Sequence, residues 1–235
     1  ATATAYKAAA DAGTKLVFMD NVPAGFVAGE DYVSVVSADN YGNGVAAAHL
    51  LAKAIGCEGE VAALHYADAS NYATEQRWQA FQDTLAENYP QMEIVEDQGI
   101  NAPDWAGDSE KAASAMLTKH PDLKGIFAWF DIPAEGAKQA VKANGSSPPI
   151  TTVDLGLNVA IDIASRGLIK GLGAQRPSDQ GVAEATLAGY ALLGKEAPPY
   201  VVLPPLPVSQ DNVLEAWEQV YHSAPPEELT AAANG

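Results

Sequence analysis

A carboxylate and an amide close two successive predicted strands. Asp154 follows the β-prone run ITTV, and Gln175 follows IKGLGA, with a helical pattern from Asn158 to Arg166 between them. In a chain that alternates strands and helices, polar side chains at strand carboxyl ends face the crevice where such folds bind ligands. The chemistry these two positions offer is therefore recognition of a ligand. Groups that would break bonds are missing: there is no GxSxG elbow, no P-loop, no GxGxxG after a strand and no HExxH helix. His49, His65, His120 and His222 are scattered without ligand spacing and read as structural or surface residues. Asp39, Asn40 and Asn43 resemble part of a calcium loop but lack its other ligands and closing glutamate. An N-cap before the helical run AAAHLLAKAI accounts for Asp39 and Asn40.

The elements that hold these positions alternate regularly, which predicts an α/β sheet with helices on its faces. Strands are expected at Lys15 to Met19, Tyr32 to Ser37, Glu60 to Tyr66, Met92 to Gln98, Gly125 to Trp129, Ile150 to Val153 and Leu168 to Ala174. Helices are expected at Tyr41 to Ile55, Thr74 to Tyr89, Ser109 to Lys119, Ala134 to Ala143, Asn158 to Ser165 and Asp179 to Leu193. Their apolar positions recur at three- and four-residue spacing, as in Trp78, Phe81 and Leu85. The five prolines of APPYVVLPPLPV deny a central strand its amide donors and predict an edge or extended crossover segment. A last helix starts near Asp211 and contains Trp217; the tail from Ser223 to Gly235 is expected to fray or dock loosely.

Composition narrows the partner. The 235 residues, 48% of them hydrophobic, suffice for a sizeable core. A net charge of −17 argues against nucleic acid, whose binding needs a basic face. Cys57 is the one cysteine, so no intrachain disulfide or cysteine-based metal cluster forms, and no cofactor or metal is expected. No run approaches the roughly 18 apolar residues of a membrane span, and the opening ATATAYKAAADAG lacks the features of a secretory signal.

Six segments, in order, carry a family resemblance: KLVFMDNVPAG, YVSVVSADNYGNGVAAAHLL, ATEQRWQAF after a strand, MLTKHPDLKGIFAWFDIPAEGAKQAVKANG, ITTVDLG and GLGAQRPSDQG. From Lys15 to about Val208 the chain resembles sugar-binding periplasmic proteins of the ribose-, galactose- and allose-binding type, whose type I fold is shared with LacI-like regulators. The resemblance implies a two-lobed α/β fold with parallel sheets flanked by helices and no enzymatic activity. Residues 1–38 with 176–207 would form the first lobe and 39–175 the second. Residues 208–222 would return to pack near the lobes, ahead of the 223–235 tail. The lobes would hinge at crossovers near Ser37 to Asn40 and Gln175 to Pro177 around a small polar ligand.

The resemblance also assigns site residues. Asp20 matches a carboxylate that accepts from sugar hydroxyls; Asn21 stands where ribose-type members often carry an arginine, so the ligand need not be a pentose. Arg77 matches an arginine that reaches the sugar, Trp105 an aromatic ring that stacks on it, and Asp154 and Gln175 the pair that holds ring hydroxyls. Asn71 and Tyr72 are further candidates from their loop. Phe130 replaces an asparagine in an A-x-N-D context, which makes the pocket less polar there and suits a deoxy sugar, a polyol or another small molecule; Trp129 beside it is expected in the core. The implied partners are a sugar or polyol and the membrane permease of an ABC transporter, in the periplasm or otherwise outside the cytoplasm. Relatives begin with two or more βα units before the segment equivalent to LVFMD, so the first lobe is expected to be incomplete, with an exposed sheet edge and scope for self-association. Two other classes share features: the ligand-sensing core of a LacI-type regulator, and an enzyme using Asp20 and Asp154 as a carboxylate pair.

Overall fold

The β-branched and alanine-rich runs form strands and the amphipathic runs form helices in a computed structural model, which describes residues 2–235. In chain order the elements are α1 (Thr2–Asp11), β1 (Val17–Met19), β2 (Ser34–Ala38), α2 (Asn40–Ile55), β3 (Gly59–Tyr66), α3 (Tyr72–Asn88), β4 (Met92–Ile100), α4 (Trp105–Lys119) and β5 (Gly125–Ala128). There follow α5 (Asp131–Asn144), β6 (Ile150–Val153), α6 (Leu157–Ala164), β7 (Ile169–Ala174), α7 (Pro177–Leu192), β8 (Tyr200–Leu203), β9 (Leu206–Ser209), α8 (Val213–Tyr221) and α9 (Glu227–Asn234). The chain divides into a smaller unit, made of residues up to Asp39 with Arg176–Pro204, and a larger unit of Asn40–Gln175 with Pro205–Gly235.

The larger unit is built on a six-stranded sheet of order β4-β3-β5-β6-β7-β9, parallel except where β9 runs antiparallel to β7. Strands covered on both faces read as continuous apolar runs, and GIFA of β5 and ITTV of β6 are buried throughout. Helices α2 and α3 pack on each other, as do α4 and α5, while α2 lies across β5, β6 and β7. Phe81 of α3 stacks on Phe127 of β5 with ring centroids 4.2 Å apart. Gly173 lets α2 approach β7 closely: a Cβ there would lie 2.6 Å from the Asn43 Cα, which explains glycine at that position of GLGA. Because β4 follows β3 on one side and β5 returns to the other, the strand order reverses at β3, and the crevice of such sheets opens at the carboxyl ends beside that reversal.

The smaller unit carries a parallel three-stranded sheet of order β1-β2-β8. Its central strand β2 is buried along its whole length and α7 packs on β1 and β2. Phe18 anchors a ring cluster with Tyr6, Phe26 and Tyr32, each edge-on at 5.2–6.0 Å.

Both proline-flanked strands sit where proline allows them. β8 is an edge of the smaller sheet and β9 an edge of the larger one. Leu206 and Pro207, assigned from the sequence to the first lobe, pair instead with β7 of the larger unit. The tail also departs from expectation: Glu227–Asn234 is helical, packs on α6 and buries Leu229 completely, so one apolar anchor overrides the polar composition around it. Two helices begin three or four residues earlier than their apolar periodicity suggests. Asp104 caps α4 by accepting from the Gly107 amide at 3.0 Å, which starts that helix at Trp105. The start of α5 at Asp131 puts Pro133 in the first turn, where its missing amide proton costs nothing.

Candidate functional site

β6 and β7 pair in parallel with Val153 opposite Gly173, so Asp154 and Gln175 leave adjacent strands almost level with each other. Asp154 adopts a left-handed backbone (φ 73°), a region that short polar side chains visit more readily than most. Its Oδ1 accepts from Gln175 Nε2 at 2.6 Å and its Oδ2 from Arg77 Nη1 at 3.0 Å. An ionised carboxylate has about four lone-pair sites, so the two bonds fix Asp154 and leave acceptor capacity on a side chain that is 26% exposed. It does not cap the following helix; Gly156 holds that position with no side-chain bond.

Arg77 is only 4% exposed, on α3. A buried guanidinium must be paired and hydrogen-bonded to persist. Its Nε donates to Asn40 Oδ1 at 3.0 Å, and Nη1 donates to the Trp129 carbonyl as well as to Asp154. Three elements, α2, α3 and the end of β5, thus converge to hold one carboxylate. Asn40 was read from the sequence only as part of a helix start, because nothing in linear spacing links it to Arg77, 37 positions away.

Trp105, Trp129, Phe130 and Tyr66 form an aromatic cluster beside this network. Trp105 meets Tyr66, Trp129 and Phe130 at centroid distances of 5.2, 5.9 and 5.8 Å with planes 74–79° apart, the edge-to-face geometry that ring quadrupoles favour. Trp129 is 1% exposed, as expected of its alternate direction on the strand, whereas Trp105 and Phe130 are half-buried. Asn71 is the N-cap of α3, its side-chain oxygen accepting from the Thr74 amide at 3.3 Å; Tyr72 beside it is exposed.

One residue at this end went unread in the sequence. Asp131 opens α5 immediately after Phe130, and its Oδ1 accepts from the Ile132 amide at 2.9 Å. Burial, reinforced by the charge of Asp154, pushes its carboxyl up to about 6. The same two carboxylates add to burial in raising the phenol of Tyr221 on α8. Asp131 stands next to Phe130 in the resembling segment, but the helix there is expected from the sequence to start only at Ala134, so no role is read for it.

Asp20 and Asn21 belong to the smaller unit. Asp20 ends β1 and, like Asp154, has a left-handed backbone (φ 55°). Its Oδ1 accepts from the Ala38 amide at 3.0 Å, Ser37 Oγ at 3.1 Å and Gln180 Nε2 at 3.3 Å. Asn21 is exposed and lines a hollow of about 590 Å³ along β1 with Tyr6, Phe18 and Met19. Among the described residues no group of three or more His, Cys, Asp or Glu could hold a metal ion, and no helix is long and apolar enough to cross a membrane.

The chain is similar to known proteins. The D-ribose/D-allose-binding protein of Pseudomonas aeruginosa is 34% identical over 150 residues, which span 63% of this chain and 45% of that protein. The match therefore covers less than half of that relative. An ABC transporter solute-binding protein from Agrobacterium vitis, solved with bound alpha-D-tagatopyranose, superposes with a TM-score of 0.82 at 25% identity, over 96% of this chain and 76% of that one. An ABC transporter periplasmic solute-binding protein from Actinobacillus succinogenes, solved with bound D-allose, gives 0.79 at 27% identity, over 90% and 75%. By name these relatives are sugar- or solute-binding proteins, and the mostly parallel α/β architecture of this chain matches theirs as the type I fold expected from the sequence. The description that matches residues 1–196 is that of a periplasmic binding protein domain, and the chain belongs to that family.

Proposed function

We propose that the chain binds a sugar or polyol-like small molecule. In the larger unit Asp154, Gln175 and Arg77 take the hydroxyls, while Trp105 and Phe130 cover apolar C–H surface. Asn71 stays with α3 as its cap. The observation that carries this reading is the buried Arg77 holding Asp154, with Gln175 on the other carboxylate oxygen, at the strand carboxyl ends of a periplasmic binding protein domain. A fixed, partly exposed carboxylate with spare lone pairs suits hydroxyl donors, because the network is ordered before the ligand arrives. No bond-making group accompanies it. The chain is read as the solute-binding part of an ABC-type importer, acting outside the cytoplasm with a membrane permease as its partner.

A thermal-unfolding panel of D-ribose, D-allose, D-tagatose and allitol tests the reading. A ligand at 100 times its Kd stabilises by about 2.7 kcal/mol through mass action. At least one member should raise the unfolding midpoint, and Asp154→Asn should erase that rise. No shift with any member would overturn the proposal.

A further inference from the structure

The ligand class can be narrowed by charge, resting on the sugar-site reading above. β5 and β6 pair in parallel with Phe127 opposite Thr151, so the chain leaves both strands at the level of Phe130 and Asp154, and Asp131 is the next residue along. Its two oxygens differ. Oδ1 accepts from the Ile132 amide, whereas Oδ2 lies against Gly156, two residues past Asp154, and no side chain is seen donating to it among the described residues. Oδ2 is not a closed-off buried atom, so it is open to a donor from solvent or from a ligand. Phe130 beside it has no polar group to offer. Arg77 is the cation bonded into this cluster, and its Nε and Nη1 already serve Asn40, Trp129 and Asp154.

We propose that Asp131 is a further ligand-selecting residue of this site: its free oxygen accepts from a hydroxyl of a neutral ligand and repels ligands that carry a carboxylate there. Two carboxylates against one engaged guanidinium leave this end negative, so an acidic sugar would bring a like charge into a partly desolvated place. A neutral polyhydroxylated ligand instead supplies the missing donor. The burial and the Asp154 repulsion that hold Asp131 above the usual carboxylate range fit a group lacking a counter-charge. Position 131 then does part of the polar work that the phenylalanine at 130 does not.

Calorimetry with matched neutral and acidic probes decides it: D-glucose against D-glucuronate, D-allose against D-allonate and allitol against allarate, for wild type, Asp131→Asn and Gly156→Ala. Gly156 has an ordinary backbone for any residue (φ −70°), but a Cβ there would overlap Asp131 Oδ2, so the alanine displaces the carboxylate without altering it chemically. Wild type should bind a neutral probe at least tenfold tighter than its acid. Asp131→Asn should reduce that ratio at least tenfold, and Gly156→Ala should weaken the neutral probe at least fivefold, both with wild-type circular dichroism. Neutral binding with a ratio unchanged in Asp131→Asn, or tighter binding of an acid by wild type, would overturn the inference while leaving a sugar site. Absence of binding by every probe would overturn both.

Discussion

Asp20 in the smaller unit and Asp154 in the larger are the same local device in two settings. Each ends a parallel strand, each has a left-handed backbone, and each is fixed by hydrogen bonds. They differ in what fixes them. Asp20 accepts from the Ala38 amide, the Ser37 hydroxyl and the Gln180 amide, the first two from the strand next to its own. Asp154 accepts from a guanidinium that is itself buried and tied to two further elements. The comparison teaches that a strand-end aspartate can be ordered either by nearby neutral donors or by a buried charge. Only the second makes the carboxylate part of the unit's folding stability, because a buried arginine without its anion is far less tolerable than a hydroxyl without an acceptor.

The largest expected effect tests that difference directly. Arg77→Met should destabilise the larger unit by about 3–5 kcal/mol, since it removes the bonds to the Asn40 oxygen and the Trp129 carbonyl and the cation that pairs with Asp154. Ser37→Ala, the matching cut at Asp20, should cost about 1 kcal/mol. Chemical denaturation of both variants checks the ratio; equal losses would break the distinction.

Next comes Leu229→Ala, expected to destabilise by about 2–4 kcal/mol because the side chain is fully buried against the larger unit. A loss within about 0.5 kcal/mol, the range of surface substitutions, would return α9 to a loosely docked tail and shrink the larger unit's advantage.

A third prediction uses pH. Asp131 faces Asp154 from β6, Glu135 on its own helix and Tyr221 from α8. Its carboxyl is raised in the fold from 3.8 to about 6, so the fold favours the protonated acid. That stabilisation is complete below about pH 3.8 and is lost as pH rises through about 6. Over this window wild type should lose on the order of 2 kcal/mol relative to Asp131→Asn, after allowance for solvent screening of a half-buried group. Parallel stability curves for the two proteins would contradict it.

The smallest effect concerns the shared backbone. Asp20→Gly relieves the left-handed strain by about 1 kcal/mol but deletes three acceptor contacts, so the net change should be destabilising by about 1–2 kcal/mol. A more stable glycine variant, read by thermal melting, would show that these bonds do little in the smaller unit.

Much of this was legible in the linear chain. Runs such as ITTV and GIFA announce buried parallel strands, because apolar side chains on both faces have no periodicity to hide, and the spacing of Trp78, Phe81 and Leu85 announces α3. Asp154, Gln175 and Arg77 were each found as candidates. Their direct contact was not, because 77 residues separate Arg77 from Asp154 and only strand register brings them together. The tail was misread for a similar reason: its composition is that of a frayed segment, and one leucine finding a buried place on α6 reversed the outcome.

By itself the sequence determined the alternation of elements, the edge placement of the proline-rich strands and the presence of carboxylates at strand ends. Each depends on local properties: side-chain periodicity, a missing amide proton, and position after a β-prone run. Only the tertiary structure decided that Asn40 orients Arg77, that Arg77 orients Asp154, and that Asp131 stands beside Gly156 with an oxygen to offer. Those pairings depend on the parallel register of β5, β6 and β7 and on how closely α2 approaches Gly173. Distances across a sheet are set by packing among all its elements, which no single stretch of chain encodes.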